Sequence, residues 1–246
     1  MEMAASLMTA PPSSALPPAR LAGFLSLITL AAGISAEFFV LDAIIVSGDA
    51  AATARNILAS EPLYRLGIAA KFVDYTFYLG VTVILYGLLK PAGKTSSLLA
   101  GAFSFAGSAI VAAGAIFYFA PLVILGGAPA LSVLGTEQLQ ALAFLSLKLS
   151  TASSNIALVF FGLHLIFIGW LIAGSTFLPR ILGVLSAIGG ACFLINSFAN
   201  FLSPALAAQL PAYIFLPGAL AQAVLALWLF LVGVNGAKWH AQAGAA

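Results

Sequence analysis

Long apolar runs, separated by short polar segments, divide the chain into six stretches that can each cross a membrane as a helix. A helix needs about 20 apolar residues to cross roughly 30 Å of hydrocarbon. The runs are continuous, whereas the strands of a transmembrane barrel alternate apolar and polar residues. The pattern therefore predicts an all-α, polytopic membrane protein with six transmembrane helices. The predicted spans are residues 20–42, 63–89, 97–125, 151–173, 181–202 and 214–234.

The sequence predicts a single domain, because no hydrophilic segment is long enough to form a second one. Residues 20–236 form the six-span membrane domain; residues 1–19, rich in Ala, Pro and Ser, read as a disordered cytoplasmic tail, and residues 237–246 as a second cytoplasmic tail. With six spans both termini share a side, and cytoplasmic segments are enriched in Lys and Arg. Basic residues on the side of the termini are Arg20, Lys90, Lys94, Arg180 and Lys238, against Arg55, Arg65 and Lys148 on the other side.

Two of the predicted outer loops have helical patterns of their own. In "SGDAAATARNILASEP", Asp49 is a candidate N-cap for a short interfacial helix over residues 50–59. Its predicted apolar face carries Ala50, Thr53, Ala54, Ile57 and Leu58. The other loop opens a helix at Thr136, which we expect to project beyond the membrane or to bend near residues 150–155.

Composition supports the membrane assignment and excludes several functional classes. Hydrophobic residues make up 63% of the chain and charged residues 7%, whereas soluble domains carry about 25% charged residues. The net charge of +2 without a basic run argues against nucleic acid. Cys192 is the single cysteine, so an internal disulfide and a cysteine-based zinc site are excluded. No catalytic motif, metal site or cofactor site is recognised, which favours a protein that is not an enzyme.

A charged stripe lies inside the second predicted span, in "KFVDYTFYLG". Lys71, Asp74 and Tyr78 share a helix face, together with Tyr75 and Thr82. A charge at the bilayer centre costs at least about 2.5–3.5 kcal/mol, so such groups pair or line water. We therefore expect Asp74 to face the helix bundle and to lie within polar reach of Lys71, or of Glu37 or Asn196 on a neighbouring span.

Further polar residues occur at a similar depth in three other spans. If they converge, they form a polar pocket in the outer half of the bundle; the alternative is that they only hold the helices together. The candidate pocket residues are Glu37, Lys71, Asp74, Tyr78, Asn155, Asn196 and Asn200.

His164 lies deeper, toward the cytoplasmic half of the fourth span. It is a candidate proton relay. The favoured interpretation is structural, with one ring nitrogen bonded to a serine or a carbonyl. Ser104 and Ser108 have no identifiable base in the sequence, which indicates packing rather than catalysis.

Four blocks of the chain, taken together and in order, carry a resemblance to a known family. They are "RLAGFLSLITLAAGISAEFFV", "GDAAATARNILASEPLYRLGIAA", "ALVFFGLHLIFIGWLI" and "FLPRILGVLSAIGGACFLINSFANFL". They resemble a family of bacterial membrane proteins, catalogued as domain of unknown function 4386. The resemblance covers residues 20–235 and implies a multi-span protein of a bacterial inner membrane, with no activity or site residues to carry over.

Two functional hypotheses follow from these patterns. The first is an integral membrane protein that binds or moves a small solute, ion or lipid through the outer-half pocket. The alternative is a structural or sensory membrane subunit whose buried polar residues only hold helices together. The expected partners are the lipid bilayer and a small-molecule or lipid ligand, without nucleic acid, and an oligomer is compatible with the sequence.

Overall fold

A computed structural model describes residues 17–245, and this range contains helices and no strand. Six helices are long and apolar enough to cross a membrane, which confirms the predicted fold class. The first helix begins at Pro17, and residues 1–16 of the predicted N-terminal tail lie outside the described residues. In chain order the six spans are Pro18–Ile44, Glu61–Ala92, Lys94–Leu125, Thr136–Gly174, Arg180–Leu202 and Tyr213–Leu231.

The six spans form a closed ring, in which each span packs against the next and the sixth packs against the first. The start of the first span lies beside the end of the second and the segment after the sixth, since Ala19, Leu88 and Val234 share one buried cluster. Both ends of the described chain therefore lie on one side of the bundle. We call this the terminal side and the opposite one the loop side.

Glycines allow the fourth and fifth spans to pack backbone against backbone. A Cβ atom on Gly169 would lie 2.5 Å from the carbonyl oxygen of Gly183, and one on Gly190 would lie 2.5 Å from that of Gly162. Small residues of this kind are the usual means by which membrane helices approach closely, because lipid supplies no hydrophobic driving force between them. This seam fixes one wall of the ring.

The loop side carries the outer helix, Ala50–Ala59, as the sequence predicts. Its N-cap, Asp49, accepts a hydrogen bond from the backbone N–H of Ala52 at 2.8 Å. Thr53, Ala54 and Ile57 are buried as expected, whereas Leu58, predicted on the same face, is exposed.

The fourth span runs as one helix from Thr136 to Gly174 without the interruption considered near residues 150–155. Its 39 residues correspond to about 58 Å at 1.5 Å per residue. This length is nearly twice the hydrocarbon thickness. The helix therefore extends beyond the membrane, and it packs against the outer helix and the third span.

A short C-terminal helix, Gly236–Ala245, packs on the terminal side. The indole Nε1 of Trp239 donates to the carbonyl oxygen of Leu88 at 2.8 Å. The hydroxyl of Thr176 donates to Oε1 of Gln242 at 2.9 Å. These contacts hold the C-terminal helix against the ends of the second and fourth spans.

Removing the N-cap is expected to loosen the outer helix. Asp49→Ala should destabilise this helix by about 1 kcal/mol, because the first N–H groups lose their acceptor. Hydrogen exchange of residues 50–59 should rise several-fold. Ser132→Ala is the control, since Ser132 is an exposed residue of a turn between the third and fourth spans, outside the outer helix. Equal exchange in both variants would contradict the capping role.

Candidate functional site

A cavity of about 310 Å³ lies inside the ring of spans. All six spans contribute to its wall, which is mostly apolar and aromatic. One lining residue from each span, in chain order, is Gly33, Asp74, Ser108, Phe161, Phe193 and Gln222. We call this space the central cavity.

Asp74 supplies the carboxylate of the central cavity, about halfway along the second span. The described residues give it neither a hydrogen bond nor an ion pair. It lies against the first span, where a Cβ atom on Gly33 would be 3.1 Å from its Oδ2 atom. A glycine at this position therefore leaves room for the carboxylate between the two helices. The arrangement leaves the acid group free to meet a ligand in the cavity.

Ser108 adds a second unpartnered polar group. The residue is only 3% exposed, and its Oγ atom has no hydrogen-bond partner among the described residues. The packing role predicted for both serines fits Ser104, which shares a 2.6 Å hydrogen bond with Thr82. Ser108, one turn along the same helix, instead lines the cavity.

Gln222 is a cavity residue that sequence reasoning missed. The sequence does contain an indication of this role, because Gln222 is the one amide in the apolar run of the sixth span. A polar side chain placed alone in such a run usually faces the bundle interior, because lipid offers it no partner.

Aromatic rings form much of the remaining wall of the cavity. Tyr75, Tyr78, Phe161 and Phe193 all line it. The ring of Tyr78 lies edge-on to Phe161, with ring centres 5.6 Å apart. Tyr78 also lies edge-on to the ring of His164, with ring centres 6.1 Å apart. The predicted pocket residues Asp74 and Tyr78 are therefore both in the central cavity.

Lys71 does not pair with Asp74, contrary to the expectation from their spacing. Its Nζ atom lies 2.6 Å from Oε2 of Glu37 on the first span and 5.1 Å from the ring centre of Tyr118. Helical side chains lean toward the N-terminal end of their helix, and the second span begins on the loop side. Lys71 therefore points toward the loop side, away from Asp74, which lies one turn deeper.

A second cavity of about 200 Å³, which we call the outer pocket, lies on the loop side of this ion pair. Glu37, Asp42, Tyr118 and Lys148 line it, and none of them lines the central cavity. The Lys71–Glu37 pair and Tyr118 therefore lie between the two cavities. The single outer-half pocket expected from the sequence is divided into two spaces.

The three asparagines form a separate group between the fourth and fifth spans. The side-chain amide of Asn196 donates to Oδ1 of Asn155 at 3.2 Å, and that of Asn200 donates to the carbonyl oxygen of Asn196 at 2.8 Å. None of the three lines the central cavity or the outer pocket. The bond between Asn155 and Asn196 matches the alternative stated above, polar residues that join helices, whereas the bond of Asn200 lies within its own helix.

His164 is buried and bonded, in the arrangement favoured for a structural histidine. Its Nδ1 atom lies 2.8 Å from the carbonyl oxygen of Ala100. Because a carbonyl only accepts, Nδ1 carries the hydrogen and Nε2 is left as an acceptor. His164 also lines a small space of about 30 Å³, which shares Thr29, Tyr78 and Gln222 with the central cavity.

The ion pair between Lys71 and Glu37 predicts non-additive mutant stabilities. Lys71→Met should lower the free energy of unfolding by about 1–3 kcal/mol, because a carboxylate in the membrane loses its partner. Glu37 is 47% exposed, which keeps the effect below that of a fully buried pair. The double variant Lys71→Met with Glu37→Gln should recover part of the loss in thermal melts. Additive losses would show that the two side chains act independently.

Comparison with family models gives a match over most of the chain. The model of a family described as domain of unknown function (DUF4386) matches residues 21–233, nearly the whole membrane domain. Searches of curated proteins and of solved structures give no significant match.

Proposed function

The chain belongs to the domain of unknown function 4386 family, and we propose that it is a multi-pass membrane protein that binds a small organic ammonium ion in its central cavity. The observation that carries the proposal is the carboxylate of Asp74, which faces a cavity lined by all six spans and forms no ion pair with any described residue. A carboxylate at this depth is costly unless it is paired, hydrated or neutralised. A cationic ligand supplies the missing partner.

The rest of the wall favours an organic cation over an inorganic one. Inorganic cations such as Mg²⁺ and Ca²⁺ take six or more oxygen ligands, and the described residues contain no group of three or more Asp, Glu, His or Cys that could hold a metal ion. Tyr75, Tyr78, Phe161 and Phe193 instead offer aromatic rings. Ring faces attract ammonium groups by about 0.5–2 kcal/mol each.

The size of the central cavity sets the size of the ligand. Its volume of about 310 Å³ lies at the lower end of small-molecule sites, which span roughly 300–1,000 Å³. An ammonium group with one ring or a short alkyl group matches this space. Its apolar part would contact the aromatic wall while its charge meets Asp74.

A pair of isosteres tests the proposal directly. Benzyltrimethylammonium and neopentylbenzene have the same shape and differ in charge. Isothermal titration of the protein in lipid nanodiscs, corrected for partition into empty nanodiscs, should show the cation binding at least about 10-fold more tightly, a difference of about 1.4 kcal/mol. Equal affinities, or no binding of either compound, would overturn the proposal. That result would favour the alternative function, a structural or sensory subunit whose polar residues join helices as Asn155 and Asn196 do.

Ser108 should distinguish ammonium ions that can donate a hydrogen bond from those that cannot. Ser108→Ala should weaken benzylammonium about 10-fold, because a hydrogen bond to a charged group contributes about 1.5–3 kcal/mol. Benzyltrimethylammonium has no N–H group and should bind unchanged. Ser104→Ala is the control, since that hydroxyl is engaged by Thr82. Equal losses for both ligands in Ser108→Ala would show that the serine acts only through packing.

The proposed location is a bacterial inner membrane, with the terminal side facing the cytoplasm. Support comes from the basic residues, of which Arg20, Lys90, Lys94, Arg180 and Lys238 outnumber Arg55, Arg65 and Lys148. A reporter fused after Ala246 should be active in the cytoplasm. Activity only on the outer side would reverse the proposed orientation.

A further inference from the structure

Resting on the proposed function, we propose that the ligand of the central cavity is a single-chain amine that enters from the lipid bilayer. Its ammonium group meets Asp74, and its alkyl chain leaves the cavity past Ile34 and Phe38 of the first span. The proposal adds both a ligand class and a route of access to the site.

The opening of the cavity lies at hydrocarbon depth. Two lining residues are well exposed, Ile34 at 48% and Phe38 at 65%. Ile34 follows Gly33, which lies directly against the Asp74 carboxylate. Since Asp74 is about halfway along its span, Ile34 lies near the same level and Phe38 about one turn closer to the loop side. The exposed surface there meets acyl chains rather than water.

The first span itself produces this opening. Between Ser35 and Leu41 it is a π-helix, which has more residues per turn than an α-helix and changes the direction of the following side chains. This segment packs on the second span, but among residues 17–245 it has no comparable packing against the fifth or sixth span. The ring is therefore closed on its terminal half and leaves a crevice beside the first span on its loop half.

The two other routes to the cavity are obstructed. On the loop side the Lys71–Glu37 ion pair and Tyr118 lie between the central cavity and the outer pocket. On the terminal side the packed cluster that includes Leu85, Leu89 and Leu229 fills the interior of the ring. The lateral crevice remains as the entrance that the described residues leave open.

The chemistry of this entrance selects the ligand. The crevice is bordered by the apolar side chains of Ile34 and Phe38 and ends at a carboxylate. A phospholipid would bring its phosphate toward Asp74 along with any ammonium group it carries, and a second negative charge beside the carboxylate is costly at this depth. An alkylammonium ion matches both parts, because its charge is opposite to that of Asp74 and its chain prefers hydrocarbon.

Photo-cross-linking tests the route and the ligand together. The probe is dodecylamine with a diazirine at the fifth carbon of its chain, which is the part that would pass Ile34 and Phe38, added to the protein in phosphatidylcholine nanodiscs. Mass spectrometry should find a cross-link within residues 34–38 that falls at least 5-fold in Asp74→Asn and is competed by dodecyltrimethylammonium. Val83 and Phe105, which are both exposed on other spans, provide the control positions. Their cross-links should not respond to the substitution or to the competitor.

The outcomes separate this inference from the proposed function. If benzyltrimethylammonium binds through Asp74 but the cross-link in residues 34–38 is missing or insensitive to Asp74→Asn, lateral entry of a long-chain amine is wrong and the cation site stands. If neither the short cation nor the long amine depends on Asp74, both proposals fail. If benzyltrimethylammonium, present during irradiation, reduces the cross-link in residues 34–38, the result would support both proposals.

Discussion

Asp74→Asn is expected to weaken the binding of benzyltrimethylammonium at least about 30-fold without lowering thermal stability. Removing one partner of a buried charge pair costs about 2–5 kcal/mol of binding energy, and each 1.4 kcal/mol is a factor of ten. Stability should be unchanged or higher, because the carboxylate has no ion pair or hydrogen bond to lose among the described residues. Asparagine keeps the shape of the side chain and removes its charge.

The matched control for this experiment is Asp42→Asn. Asp42 also belongs to a membrane span but lines the outer pocket rather than the central cavity. Titration calorimetry should show the affinity of this variant for benzyltrimethylammonium unchanged within about 2-fold. A loss in Asp42→Asn that equals the loss in Asp74→Asn would place the cation in the outer pocket, and retained affinity in Asp74→Asn would remove the basis of the proposed site.

Gly169→Ala is expected to produce the largest loss of stability, about 3 kcal/mol or more, since overpacking typically costs 1–3 kcal/mol even where side chains can move. Its new methyl group would lie 2.5 Å from the carbonyl oxygen of Gly183 and 2.9 Å from the backbone nitrogen of Ala187. Backbone atoms cannot rotate away, so the fourth and fifth spans must separate. Thermal melts in detergent should report the change directly.

Gly87→Ala is the control for that substitution. It also lies within a span, but a Cβ atom there would meet no described residue within 4 Å. Alanine is favoured over glycine in a helix by about 1 kcal/mol, so this variant should be as stable as the wild type or slightly more so. Similar melting temperatures for Gly169→Ala and Gly87→Ala would contradict the close seam between the two spans.

The fold was predictable because hydrocarbon imposes strong rules on sequence. Each span must be long and apolar, so its existence follows from hydropathy, and all six were predicted. The outer helix was equally accessible, since Asp49 is a local N-cap signal and Ile57 belongs to a local apolar face. Both features depend on residues near one another in the chain.

The site was less predictable because it depends on which side chains different helices bring together. Lys71 and Asp74 share a helix face, yet the lean of lysine toward the loop side gives it Glu37 as a partner. The position of Glu37 itself depends on the π-helix at Ser35–Leu41. Nothing in the sequence distinguishes Ser104, which bonds Thr82, from Ser108, which lines the cavity.

The division of the polar residues explains how one bundle can carry both roles that the sequence suggested. Asn196 bonds Asn155 and Lys71 pairs with Glu37, and each of these two pairs joins neighbouring spans. Asp74 is left out of these pairs and faces the central cavity. Helix association and ligand binding are therefore assigned to different side chains, which is why their mutants should separate.

The position of a bound cation tests the central claim most directly. Crystals of the protein grown from a lipid phase with 4-bromobenzyltrimethylammonium can locate the bromine atom by anomalous scattering. The account predicts one bromine peak inside the central cavity, with the ammonium group within about 6 Å of the Asp74 carboxylate and of an aromatic ring centre. A peak confined to the outer pocket or to the lipid-facing surface, with the central cavity empty, would contradict it.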